Sequence, residues 1–323
     1  MTAMKQTMPW LTVVVPTHNR AHLLGECLEA LSRQDIPAGE MEVIVVANGC
    51  TDDTEQVVRQ WQGTMPWLRL IQEQQPGLNR ARNLGWQAAA APYVAYLDDD
   101  ARPEPGWARA IVKAFGFIQP RPAALGGPVL PCYLEPLPSW YPTELDRHTW
   151  GEASCFLSGP RARSGFFGMN MAFRRDLLAQ CGGFREDLGM VAGALAMGGE
   201  QELFFRLYER CPYFWYDTGM AVQHVIRAPK RKPAYRLYRS YLGGVAGAIF
   251  SARPIDGHYL WQAIDGVALL VLAVPRALLD RQSFRRRLFI EAFRIAGRLG
   301  FLVGRGRIAP GPRERLPADR AAP

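Results

Sequence analysis

Four short, strongly apolar runs, separated by segments of helical periodicity, occupy the first hundred residues and leave few folds open. The runs are LTVVVP from Leu11, MEVIVVA from Met41, LRLI from Leu68 and PYVAYL from Pro92. After the first, Leu23, Leu24, Cys27, Leu28 and Leu31 recur at helical spacing. After the second, Thr51 or Asp52 can cap a helix that has Glu55 in its first turn, and GLNRARNLGWQAAAA is a third helix. A strand without polar alternation is covered on both faces, and strands that alternate with helices pair in parallel. The expected fold is therefore α/β, a doubly wound, mostly parallel sheet. Ligands of such sheets bind beyond the carboxyl ends of the strands. The residues at those ends are Pro16-Thr17-His18-Asn19-Arg20, Asn48-Gly49 and Asp98-Asp99-Asp100, so one crevice should collect them.

Three adjacent carboxylates repel one another unless a cation neutralises them. A solvated turn is the plain alternative, since Pro103 and Pro105 stop the strand. The convergence on one crevice weighs against it. No GxGxxG follows the first strand and no GxxxxGK[ST] occurs, which argues against a dinucleotide cofactor and a P-loop nucleotide site. Carboxylates without a glycine-rich phosphate loop need a divalent cation to hold a phosphate ligand, and Mn²⁺ or Mg²⁺ suits oxygen ligands of this kind.

The 323 residues, 48% hydrophobic and 21% charged, are those of an ordinary globular protein. Six cysteines, at 27, 50, 132, 155, 181 and 211, form no CxxC pair, which favours reduced thiols. The N-terminal apolar run is too short for a signal peptide, so a cytoplasmic location is expected. Charge is uneven. Residues 1–226 hold 19 Lys+Arg against 24 Asp+Glu, whereas residues 227–323 hold 19 against 6. A basic rear of that strength seeks an anionic partner, either nucleic acid or a membrane surface.

Seven ordered stretches, VVVPTHNR, VIVVANGCTDDT, GLNRARNLG, YLDDDARPEPGW, GFFGMNMAFRRDLLAQCGGF, GGEQELFFRL and AVQH, resemble glycosyltransferase family 2 with the GT-A fold over roughly residues 10–245. The resemblance implies an inverting transferase that takes a nucleotide-sugar donor and a divalent metal. It places Pro16, Thr17, Asn19 and Asn48 in the nucleotide pocket, Asn48 standing where many members carry an acidic residue for the base. Arg82 would face the donor. Asp98 and Asp100 match the family's Asp-x-Asp motif, the source of the ribose contact and the metal bond, with Asp99 between them in the donor pocket. His224 would join Asp98 and Asp100 at the metal. Ala47-Asn48 departs from the usual Asp-Asp or Asp-Asn, which leaves the base open; a UDP-sugar is favoured because an amide can pair with a uracil edge.

The family's catalytic Asp follows a Glu and lies six residues before an Arg. Here GGEQEL puts Gln201 after the glutamate, and an amide cannot take a proton; counting back from Arg206 identifies Glu200 as the base. The plain alternative is a helix N-terminal acid favoured by the dipole. Gly168 and Asn170 fit a Gly-x-Asn pattern at the acceptor edge. In the Pro- and aromatic-rich segment from Pro131, Trp140, Tyr141 and Trp150 are candidates for stacking on a sugar ring, against local packing. Arg231, in a basic cluster after His224, is a candidate phosphate contact. No Gln-x-x-Arg-Trp signature of processive synthases occurs, so single-sugar transfer is expected.

GVALLVLAV, at 266–274, is too short to span a bilayer. In the segment that follows, Arg287, Glu291, Arg294 and Arg298 share one stripe, while Phe284, Leu288, Ala292, Ile295 and Leu299 form an apolar arc. A basic amphipathic helix of this kind lies in a membrane interface, so residues 264–304 are expected to touch an anionic membrane peripherally, on its cytoplasmic face. The alternative is packing on the catalytic domain. The expected organisation is a transferase domain over 1–255, basic helices over 256–304 and a disordered tail over 305–323. The expected acceptor is a glycan or a polyprenyl- or other lipid-linked acceptor. Neither a helix-turn-helix nor an aromatic-basic sheet surface is evident, so no nucleic-acid partner is expected. The rival within the family is a catalytically degenerate binding relative, against which Glu200, Asp98 and Asp100 argue.

Overall fold

Strand β1 (Leu11–Thr17) is buried along its whole length, as are β2 (Met41–Asn48) and β4 (Tyr93–Leu97). In the computed structural model, which describes residues 8–37, 39–188, 197–250 and 281–307, these strands lie side by side. Val13 pairs with Val43 on one flank and Ala95 on the other, and β3 (Leu68–Glu73) completes the parallel half outside β2. Beyond β4 the sheet continues through β9 (Asn170–Arg174), β6 (Ala124–Gly126), β10 (Phe214–Tyr216) and β8 (Cys155–Phe156), for the order β3-β2-β1-β4-β9-β6-β10-β8. Strands β9 and β8 run antiparallel to their neighbours. A second sheet, β5-β11-β7, joins β5 (Ala101–Pro103), β11 (Val222–Val225) and β7 (Val129–Cys132).

Helices cover both faces, which is why the central strands need no polar alternation. On one face, α1 (Ala21–Ser32), α2 (Thr54–Gln62) and α4 (Trp107–Phe117) bury Leu24, Leu28, Val58, Trp107 and Ile111 against Val13, Val15 and Val43. On the other, α3 (Leu78–Ala88), α6 (Arg175–Cys181) and α7 (Gly199–Arg210) bury Ala81, Leu178, Leu203 and Phe204 against Val14, Ile44 and Tyr96. Two short helices, α5 (Gly159–Ser164) and α8 (Ala228–Arg231), lie in the connections. Alternate residues of β1 thus point into separate cores. The order reverses between β1 and β4, which opens a crevice at their carboxyl ends.

Helix α3 lies against β1 so closely that a Cβ on Gly85 would fall 2.2 Å from Val14 Cγ1. Gly85→Ala is therefore expected to destabilise by about 1–3 kcal/mol, the usual cost of overpacking, despite alanine's better helix propensity. Urea denaturation of the variant measures this; an unchanged midpoint would show that α3 can shift freely.

The chain divides into two compact units, at Lys232 and Pro233. The division falls earlier than the expected boundary after residue 255, because α9 (Pro233–Phe250) packs on α10 (Arg281–Arg307). Contacts advance together along both helices, from Ser240 with Phe293 to Val245 with Gly304, so they run parallel. A Cβ on Gly244 or Gly300 would meet a backbone carbonyl oxygen of the partner helix at 1.9 Å, so glycine sets the spacing. Phe289, Gly300, Phe301 and Gly304 are buried. Within the predicted apolar arc, Leu288 and Leu299 remain 40% and 51% exposed; Val303, outside that arc, is 40% exposed. No helix among the described residues is long and apolar enough to cross a membrane. The expected tail over 305–323 begins too early, since α10 continues to Arg307; residues 264–280, the side chain of Phe284 and residues 308–323 fall outside what the structure describes.

Candidate active site

The chain leaves β4 at Leu97 directly into Asp98, Asp99 and Asp100, and each finds its own cation. Asp98 Oδ1 lies 3.7 Å from Arg82. Asp99 accepts from Arg20 at 2.9 Å and from the Thr17 hydroxyl at 2.8 Å. Asp100 accepts from Lys230 Nζ at 2.5 Å and from Arg20 at 3.4 Å, and its Oδ1 is 3.5 Å from His224 Nε2. Burial, reinforced by the charge on Asp100, pushes the Asp99 carboxyl up to about 6 against Arg20 and Thr17. Desolvation, with Asp100 and Glu200 nearby, also raises Asp98 against the pull of Arg82. Burial acts upward on Asp100 too, but His224, Lys230 and Arg20 outweigh it and hold that carboxyl far below the usual range. The three like charges are tolerated because three basic side chains from separate elements converge on them.

His224 reaches the triad through the small sheet. Strand β5 begins one residue after Asp100 and pairs antiparallel with β11, with His224 opposite Ala101. Val225 N donates to the Asp100 carbonyl at 2.8 Å. Two ligands at right angles on a cation with bonds of ~2.1 Å lie about 3 Å apart, so the 3.5 Å between Asp100 Oδ1 and His224 Nε2 fits a shared Mn²⁺ or Mg²⁺. The pair would leave further positions to phosphate oxygens and water. Asp98 turns to Arg82 instead, and no group of three or more metal-ligating side chains is assembled among the described residues.

Arg82 is the hub of the opposite wall. It is 1% exposed, and its guanidinium donates to Glu200 Oε1 at 2.9 Å and to the Gly168 carbonyl at 3.4 Å, while facing Asp98. Desolvation lowers its pKa, but Glu200 and Asp98 reverse that, for a net rise. Glu200 stands in the first turn of α7, entered through Gly198 at φ +105°. A Cβ on Gly168 would fall 2.2 Å from Glu200 Oε1 and 2.6 Å from an Arg82 nitrogen, so a side chain there would displace this pair from its present arrangement. Asn79 donates to the carbonyls of Arg185 and Leu188, and Asn83 to that of Phe184. Residues 79, 82 and 83 share a face of α3, so one helix grips the 184–188 segment and aims a cation at Glu200.

Several expected contacts are corrected. The Asn48 carboxamide is committed to the Gln75 carbonyl at 2.7 Å and to Gly77 N at 2.6 Å, bracing the entry to α3, so it is not a free reader of a base edge. Thr17 and Asp99 face each other, 3% and 2% exposed, and tie the ends of β1 and β4 together; Asp99 presents no open carboxylate to a donor. Asn170 is fully buried, accepts from Trp107 Nε1 and donates to the Pro128 and Met220 carbonyls, so it joins the two sheets and does not reach an acceptor. Tyr141 is likewise buried, its hydroxyl 2.9 Å from Asp146. Trp150 packs at 5.9 Å, nearly parallel, on Phe167. Arg231 pairs with Glu135; the adjacent Lys230, a helical step away, is the residue that faces the triad.

Of the other expected residues, Asn19 keeps an open position. Asn19, exposed at φ +52°, accepts from Thr51 N at 2.7 Å and bridges the loops after β1 and β2. Pro16 lies buried at the end of β1, opposite Val46. Trp140 is half-buried and tilted against Tyr141. Arg20 was expected in the crevice and pairs there with Asp99 and Asp100, whereas Lys230, Asn79 and Asn83 were not anticipated. The 79/82/83 spacing marked the Asn pair in the sequence, whereas nothing local marked Lys230.

Residues 12–182 match the model of the family described as Glycosyl transferase family 2. Over 105 residues, 32% of this chain, the sequence is 35% identical to glycosyltransferase AglE of Haloferax volcanii, and that match spans 34% of AglE. Over 263 residues it is 23% identical to a glucosyl-dolichyl phosphate glucuronosyltransferase of the same organism, covering 80% of this chain and 82% of the relative. Among solved structures, the mannosyltransferase PcManGT from Pyrobaculum calidifontis, in complex with GDP-Man and Mn²⁺, superposes with a TM-score of 0.61 at 21% identity, covering 92% of this chain and 88% of that one. At that identity the likeness is one of fold.

Proposed function

The chain belongs to glycosyl transferase family 2, and from that premise we propose that it moves one sugar from a nucleoside-diphosphate sugar to a hydroxyl of a glycan or lipid-linked acceptor, with inversion. The observation that carries this reading is the Arg82 bridge, which puts the Glu200 carboxylate and Asp98 in one crevice. Glu200, 26% exposed and oriented by Arg82, takes the proton from the acceptor hydroxyl. The oxygen then attacks the anomeric carbon, and the diphosphate leaves from the opposite face. Asp100 and His224 are the residues that would hold Mn²⁺ or Mg²⁺, which when bound would supply charge neutralisation for the leaving diphosphate. A protein of this fold that binds GDP-Man with Mn²⁺ supports donor and metal alike. The preference for UDP rested on the Asn48 amide, and the commitment of that amide to Gln75 and Gly77 removes its ground, so the nucleotide is decided by the experiment below.

The experiment is thermal unfolding with UDP-, GDP- and dTDP-sugars, each with Mn²⁺, Mg²⁺ or chelator. A donor at a hundred times its dissociation constant stabilises by about 2.7 kcal/mol. One nucleotide is expected to do so, and chelator to remove the effect. No stabilisation under any condition would overturn the reading in favour of a degenerate relative.

Peripheral membrane binding through the described part of 264–304 belongs to the same proposal, with the protein on the cytoplasmic face. Leu288, Leu299 and Val303 stay exposed on α10, beside Arg285, Arg286, Arg287 and Arg294. Each arginine near an anionic surface contributes about 1 kcal/mol. Replacing Arg286, Arg287 and Arg294 with Gln is expected to weaken binding to phosphatidylglycerol vesicles about 100-fold, as read by flotation. Unchanged flotation would remove α10 from the membrane.

A further inference from the structure

We propose that Lys230 is a built-in counter-ion which fills the cation position on Asp100 until a metal and a diphosphate arrive together, and which then becomes a ligand of that diphosphate. The inference rests on the donor-site reading above. Asp100 is 3% exposed and both of its carboxylate oxygens are engaged. Oδ2 takes Lys230 at 2.5 Å and Arg20 at 3.4 Å, and Oδ1 faces His224 at 3.5 Å. Each aspartate of the triad already has a cation, Arg82 for Asp98, Arg20 for Asp99 and Lys230 for Asp100, although Arg82 is shared with Glu200, so the Asp100 end is the locally neutralised one. A bare divalent cation would meet an ammonium on the carboxylate it needs. A divalent cation with a diphosphate adds little net charge, so the pair is admitted where the metal alone is opposed.

Of the three cations, Lys230 is the one built to leave. Arg82 is 1% exposed and shared between Asp98 and Glu200, and Arg20 makes its shorter contact to Asp99. Lys230 makes the only contact to Asp100 below 3 Å among the described side chains. Its side chain is 17% exposed and sits on the four-residue α8, which is pinned separately by Arg231 on Glu135. A lysine carries its charge on a flexible four-carbon stem and binds phosphate as a point charge. The ammonium therefore turns from Asp100 to an incoming phosphate while α8 stays in place.

Binding of Mn²⁺ is read directly by loss of the free-ion electron paramagnetic resonance signal. It is measured on the full chain and on Lys230→Met, Lys230→Gln and Lys230→Arg, without nucleotide and with UDP or GDP. Circular dichroism confirms folding, and either neutral variant suffices. A charge-assisted hydrogen bond removed from Asp100 translates to about tenfold or more. The neutral variants are therefore expected to bind Mn²⁺ alone about tenfold more tightly than wild type, and to gain less from the nucleotide. Lys230→Arg is expected to follow wild type. If Mn²⁺ binds with nucleotide in every form, but the neutral variants bind the bare ion no more tightly than wild type, the counter-ion role is overturned and the donor reading stands. If no form binds Mn²⁺ under any condition, the donor-site reading fails and takes this inference with it.

Discussion

Glu200→Gln is expected to lower the transfer rate about 10²–10⁴-fold, the range for loss of a general base, while donor binding stays near wild type. The two effects separate because Glu200 is paired with Arg82, whereas Asp100 and His224 form the candidate metal pair. A glutamine keeps the shape and still offers an oxygen to Arg82, so the fold should survive; only the capacity to take a proton is removed. Steady-state rates, read beside thermal unfolding with donor, provide the check. Near-normal transfer by the variant would remove Glu200 from the role and return it to the status of a helix N-terminal acid. Glu200→Asp is the companion variant. It preserves the carboxylate but withdraws it by one methylene, so intermediate activity is expected.

Arg82→Met is expected to destabilise the chain by about 3 kcal/mol, the lower end of what breaking a buried ion pair costs. The full range does not apply, because Asp98 and Glu200 keep 30% and 26% of their side chains open to water and can hydrate once unpaired. Arg82 itself is buried among Phe184, Gly168 and Asn79, and methionine refills much of that volume without its charge. Urea denaturation measures the loss. Combining Arg82→Met with Glu200→Gln should recover part of it, since one of the stranded carboxylates disappears; strict additivity would show that the pair is not coupled. Arg82→Lys is not a conservative rescue, because one ammonium cannot bridge Glu200, Gly168 and Asp98 as a planar guanidinium does.

The layered part of the fold was legible because it rests on local pattern. The runs at Leu11, Met41, Leu68 and Pro92 became β1 to β4, and helical spacing from Leu23 to Leu31 became the buried face of α1. The carboxyl-end rule placed Asn19 and the aspartate triad at one crevice, and the motif order nominated Arg82, Glu200 and His224, which the structure brings to its walls. What local pattern missed is how polar side chains are used once buried. Asn48, Asp99 and Asn170 look like ligand contacts as residue types, yet each is committed to protein partners, because a buried polar atom must be satisfied by whatever lies nearest. The choice between Arg231 and Lys230 was equally closed to the sequence, since it depends on which face of a four-residue helix meets Asp100.

By itself, the sequence determined the α/β class, the first four strands as apolar runs, the family, and the nomination of Glu200 and the Asp triad. These follow from periodicity and from spacing within short stretches, which hydrophobic burial and strand geometry translate directly into structure. The tertiary structure alone decided how three adjacent carboxylates coexist. Their cations come from α1's leading edge, α3 and α8, separated by as much as 130 residues from the aspartate each one meets. Coulombic stabilisation depends on distances of a few ångströms in space and carries no signature along the chain.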